Sequence, residues 1–156
     1  MAGNLEVSFN SPQCGWMSIG FEDGKHSFQT TTAHAPHSTA LSELLLTVTE
    51  LLSNENFAHT LKWNRDPEEF DFIFARVGDE TSIEIIEYPT EERDQLRSRR
   101  VFIHRGEAHQ IATAFLKTFD QLFDERNVDE FEQNWHQKFP TAEFERLKAA
   151  VENDGQ

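Results

Sequence analysis

Residues 99–123 read RRVFIHRGEAHQIATAFLKTFDQLF, and the apolar spacing changes partway along them. Val101 and Ile103 alternate with their neighbours, the period-two signature of a strand. From Ala108 onward the apolar residues are Ala108, Ile111, Ala112, Phe115, Phe119, Leu122 and Phe123. Their steps of three and four put them on one face of a helix. This switch divides the chain. Before it lie strands and one helix; after it lie only helices.

Working back from the switch, residues 81–88 set Ile83 and Ile85 against Glu84 and Ile86, which predicts a strand. Residues 69–77 predict another, with Phe70, Phe72 and Phe74 on one face and Ile73, Ala75 and Val77 on the other. Both faces of that strand are expected to be covered, as in a central strand. Residues 59–65 make a further strand across Asp66-Pro67, and residues 89–96 are polar and read as an exposed loop. Leu41, Leu44, Leu45, Val48, Leu51 and Leu52 predict a helix that Ser38 or Thr39 can cap. The N-terminal third alternates over 5–9, 15–22 and 26–32, with Asp23-Gly24 suited to a tight turn. Beyond the switch, Val128, Phe131, Trp135 and Phe139 form a shorter stripe. Pro140 breaks it, and Phe144, Leu147 and Val151 make a last helix that Thr141 can cap.

The expected order is β-β-β-α-β-β-β-β-α-α-α. Strands grouped apart from helices indicate an α+β domain with helices packed on one face of an antiparallel sheet. A chain of 156 residues suits one such domain, residues 1–156. Its 14 Phe and 3 Trp supply core material that a disordered chain lacks.

Charge narrows the partners. The chain has 28 acidic and 14 basic residues, a net −14. Such a surface repels nucleic acid and anionic lipid, and it attracts basic proteins. The lone Cys14 excludes an internal disulfide, no apolar run is long enough to span a membrane, and the N-terminal residues lack a secretory pattern. A cytoplasmic location is expected.

Several residue groups invite a chemical reading. His34 and His37 form an H-x-x-H ahead of the first helix, which His26 and His59 could join, but no Cys pair or carboxylate-rich partner segment accompanies them. They read as solvated loop histidines. Cys14 has no local cation or helix N-terminus to activate it and reads as an inert thiol. Glu84, Glu87, Glu91 and Glu92 read as a solvated face rather than an acid–base pair. Arg97, Arg99, Arg100 and Arg105 are expected to pair across strands with Glu84 and Glu87 rather than to hold an anion. The glycines match no phosphate-binding pattern. Catalytic residues, metal ligands and cofactors are therefore expected to number none.

Among the three tryptophans, Trp135 falls on an apolar stripe and is expected in the core, and Trp16 lies on the face opposite Met17 and Ile19. Trp63 is the best candidate for an exposed anchor. With it, Glu84, Glu87, Tyr88, Glu91, Glu92 and Asp94 form the expected partner-binding set.

The segment Phe131-x-x-x-Trp135-x-x-x-Phe139-Pro140-x-x-x-Phe144-x-x-Leu147 resembles the end of small bacterial proteins of the polymorphic-toxin immunity type. The whole-chain plan of meander, Leu-rich helix, strands and helices is similar too. The resemblance implies an acidic cytoplasmic domain that binds and blocks a cognate toxin, a basic protein. It transfers no site residues. The alternatives are a small-molecule-binding or enzymatic α+β domain and a homo-oligomeric structural subunit.

Overall fold

A computed structural model describes residues 3–154. The fold is α+β, with β1 (Glu6–Phe9), β2 (Trp16–Glu22), β3 (Ser27–Ala33), α1 (Ala40–Ser53), β4 (Asn56–Asn64), β5 (Glu69–Val77), β6 (Glu80–Tyr88), β7 (Arg99–Gly106), α2 (Ala108–Glu125), α3 (Phe131–Trp135) and α4 (Thr141–Asp154). The order is the expected one. The strands form two antiparallel sheets, β1-β2-β3 and β4-β5-β6-β7.

The large sheet buries one face because its apolar residues come into register. Leu61 pairs with Phe72, Phe72 with Ile85, and Ile85 with Phe102, so one buried row crosses all four strands. The opposite face is only half covered at Ile73 and Ala75, and Val77 is exposed. The expectation that both faces of β5 are covered is thus corrected: β5 is central in its sheet, yet its outer side meets solvent.

The small sheet lies across the inner face of the large one. Phe21 packs 6.0 Å from Phe72 and 5.5 Å from Phe102, and Phe28 packs 5.8 Å from Phe70. The β2–β3 turn ends on β7, where Asp23 Oδ2 accepts from His104 Nδ1 at 2.8 Å. The far end of β3 reaches β4, where Trp63 Nε1 donates to the Ala33 carbonyl at 2.9 Å. Asp23 also shapes its own turn, because its Oδ1 accepts from the N–H groups of Lys25 and His26. Burial alone would raise the Asp23 carboxyl pKa. The hydrogen bond from His104 and those from the His26 and Lys25 N–H groups outweigh burial and hold it down at about 2, from an ordinary 3.8.

Helix α2 seals the edge of β1. Gln110, Ala114 and Thr118 are spaced by four and form one row along the helix. Gln110 hydrogen-bonds both backbone groups of Leu5, and Thr118 does the same for Phe9. The edge that would otherwise invite a further strand is thereby occupied. The apolar side of α2 completes the core, with Phe119 5.0 Å and Phe115 6.1 Å from Phe9, and Phe115 6.2 Å from Phe74. Helix α4 packs on α1 and α2 through Phe144, Leu147 and Val151.

The expected caps are absent. Thr39 precedes α1 without a side-chain cap, and Thr141 lies inside α4 with its hydroxyl donating to the Phe139 carbonyl. The other end of α1 is capped from outside instead. Arg76 of β5 donates to the Leu51 and Leu52 carbonyls, placing a cation where the helix dipole is negative.

Candidate functional site

The segment joining β6 to β7, residues 89–98, is exposed as expected, but it is not a free loop. Arg93 has φ +52°, in the left-handed region, and this turns its side chain back against the sheet. Its Nη2 donates to Glu69 Oε1 at 2.7 Å and to the Phe70 carbonyl at 3.1 Å, and its Nη1 donates to Asp71 Oδ1. The guanidinium also lies 5.2 Å from the centre of the Tyr88 ring. Tyr88 donates to Asp71 Oδ2 at 2.8 Å and accepts from Gln95 at 3.2 Å. Burial, and then the Asp71 carboxylate, push the Tyr88 hydroxyl above its ordinary pKa. His37 reaches Glu69 at 2.9 Å from the other side.

Glu69 and Asp71 would repel each other at this spacing. Arg93 neutralises both, and its five donors fit two carboxylates and a carbonyl at once. The loop is therefore pinned from its centre. Its outer half is shaped by Asp94, whose carboxylate accepts from the Leu96 N–H and starts a short 3-10 turn at Gln95–Arg97. That turn holds Leu96 96 % exposed. Glu91 and Glu92 are exposed on the other side of Arg93 and form no ion pair among the described residues.

Of the expected partner-binding set, Glu91, Glu92 and Asp94 are exposed on this segment, whereas Glu84 and Glu87 fall on opposite faces of the large sheet, in register with Ile73 and Phe70. Glu84 and Glu87 lie on β6 and are matched by Arg100 at 3.4 Å and Arg99 at 2.9 Å. Arg105 pairs with Glu80 at 3.6 Å and Arg97 with Asp94 at 3.9 Å. Arg99 and Arg100 thus pair with Glu87 and Glu84 as expected, whereas Arg97 and Arg105 take Asp94 and Glu80 instead. Two members are corrected. Trp63 is fully buried, because Leu61 and Trp63 both face inward and β3 crosses over them. Tyr88 is buried beneath the loop it was expected to decorate, holding Asp71.

Sequence reasoning missed Arg93 and Leu96. Leu96 is the sole apolar residue other than Pro89 between Tyr88 and Val101, and that isolation was the available signal. Nothing local marks Arg93, whose partners lie 22 and 24 residues away.

The histidines disperse. His37 meets Glu69, His59 meets Glu43 at 2.6 Å, and His34 packs 4.5 Å from His136. Among the described residues no three His, Cys, Asp or Glu side chains converge to hold a metal ion. Cys14 is exposed on a turn, Trp16 is 40 % exposed, and Trp135 is in the core as expected. No helix among the described residues is long and apolar enough to cross a membrane. No protein-family model, curated protein or solved structure matches the chain.

Proposed function

We propose that this chain is an acidic binding protein that holds a basic protein, most concretely an immunity-type inhibitor of a basic toxin. The observation that supports it is Leu96, 96 % exposed on a loop pinned by Arg93 and flanked by Glu91, Glu92 and Asp94. Leaving a leucine in water forgoes about 1.5–3 kcal/mol of burial. A loop ordered before binding loses less entropy when a partner arrives. The carboxylates around it speed encounter with a cationic surface, and the leucine slows departure. This reading assigns the chain no catalysis.

The test is co-expression with the product of the neighbouring gene. An immunity role expects growth to be restored and the two proteins to co-purify. Glu91→Lys with Glu92→Lys should slow association about tenfold at low salt and much less at high salt. Leu96→Ala should act mainly on dissociation. Continued toxicity in the presence of the wild-type chain sinks the proposal.

A further inference from the structure

The two solvent-facing sheet surfaces differ in kind. On the large sheet, charged residues such as Lys62, Asp71, Glu84, Arg100 and Arg105 point outward. On the small sheet the outward residues between the Glu6–Glu22 pair and Trp16 are Ser8, Asn10, Ser18, Gly20, Gln29 and Thr31. None carries a charge, although 27% of the chain is charged. A surface kept in water only for solubility would carry charges here as it does on the other sheet.

This surface is also concave. A groove of about 660 Å³ runs between it and α2, and a second depression of about 370 Å³ adjoins it. The two share Ser8, Asn10 and Gln29. Gly20 forms the floor between Ser8 and Gln29, its partners in register. A Cβ on Gly20 would stand 2.8 Å from Ser8 Oγ, so any side chain there would fill the hollow. A glycine inside a strand often marks close approach by a ligand.

The lining decides the ligand. An extended peptide cannot add to the edge of β1 beside the groove, because Gln110 and Thr118 already occupy it. A second copy would find little apolar surface to bury besides Trp16 and would bring another −14 of charge. An anion would meet Lys117 and Arg65, but Glu6, Glu22 and Glu125 line the same walls. What fits hydroxyls and amides, which both donate and accept, is a neutral solute rich in hydroxyl groups. Trp16, 40 % exposed and two residues along β2 from Ser18, continues the row with an aromatic ring that lines a neighbouring depression with Ala33 and His34. The volume lies within the usual range for small-molecule sites, about 300–1,000 Å³. We propose that the outer face of β1–β3 binds a neutral oligosaccharide, with the Asn10 and Gln29 amides bonding sugar hydroxyls and Trp16 stacking on a sugar ring.

The site lies on the other sheet from Leu96, so its test is independent of the protein-binding reading. The wild-type chain is applied to an array of neutral and acidic oligosaccharides, and the strongest neutral ligand is followed by calorimetry. Binding is expected, with Gln29→Ala and Trp16→Ala each weakening it at least about tenfold. Leu96→Ala should leave it unchanged. Thermal melts confirm that the variants fold, and Gln29→Ala, exposed and outside the core, carries the test if Trp16→Ala does not. An array with no neutral ligand, binding confined to acidic glycans, or affinity untouched by Gln29→Ala overturns the proposal.

Discussion

Asp23 links the two sheets, and its removal should be legible as a change in the pH dependence of stability. The carboxylate accepts from His104 Nδ1 at 2.8 Å, from the His26 N–H at 2.6 Å and from the Lys25 N–H at 2.9 Å. Its pKa falls from 3.8 to about 2 on folding. A depressed folded-state pKa gives stability that is fully present above the unfolded value and is lost as pH falls through the folded one. A shift from 3.8 to about 2 amounts to about 2.4 kcal/mol, of which about 1 is gone at pH 3 and about 2 at pH 2. Asp23→Asn keeps an oxygen for the turn N–H groups but removes the charge facing His104. It should cost about 2 kcal/mol near pH 7, the scale of a charged hydrogen bond. The difference between the two proteins should shrink between pH 4 and pH 2 as the wild-type carboxyl takes up its proton. The assay is urea unfolding of both proteins across that range, and subtraction removes the titration of the other carboxylates. Parallel curves over the whole range would refute the depressed pKa and with it the account of the sheet junction.

Two further substitutions probe the core and the pinned loop. Phe119 is fully buried 5.0 Å from Phe9, so Phe119→Ala should cost about 3–5 kcal/mol in chemical denaturation, and a loss under about 1 would mean that α2 does not pack as described. Arg93→Ala leaves Glu69 and Asp71 facing each other with no guanidinium between them. It should cost about 3 kcal/mol, and amide exchange across residues 89–98 should accelerate; protection equal to wild type would show that the loop is held by something else.

The candidate partner surface was half legible in the sequence. Glu91, Glu92 and Asp94 are exposed because a run of polar residues between two strands has no apolar face to bury. Trp63 and Tyr88 misled for a single reason: alternation sorts residues onto two faces of a strand without saying what covers each face. The segment of β4 shows a milder form. Its start is extended from residue 59 to Asn56 because Val77 and Arg76 of β5 are there to pair with, which no feature of residues 56–58 announces.

By itself the sequence determined the number, kind and order of the elements, from the period-two strands to the stripe Ala108–Phe123, because hydrophobic periodicity is written in neighbouring residues. It also determined the net charge and the pairing of the Arg99 and Arg100 side chains with acids on the preceding strand. Only the tertiary structure decided that the seven strands divide into two crossed sheets, that Asp23 meets His104 across 81 residues, and that Arg93 pins its loop on Glu69 and Asp71. It alone left one sheet face charged and gave the other a hollow floored by uncharged polar side chains. These outcomes depend on which faces meet once the core closes. The balance of burial, charge pairing and hydrogen bonding between residues far apart in the chain sets that choice, and no local pattern records it.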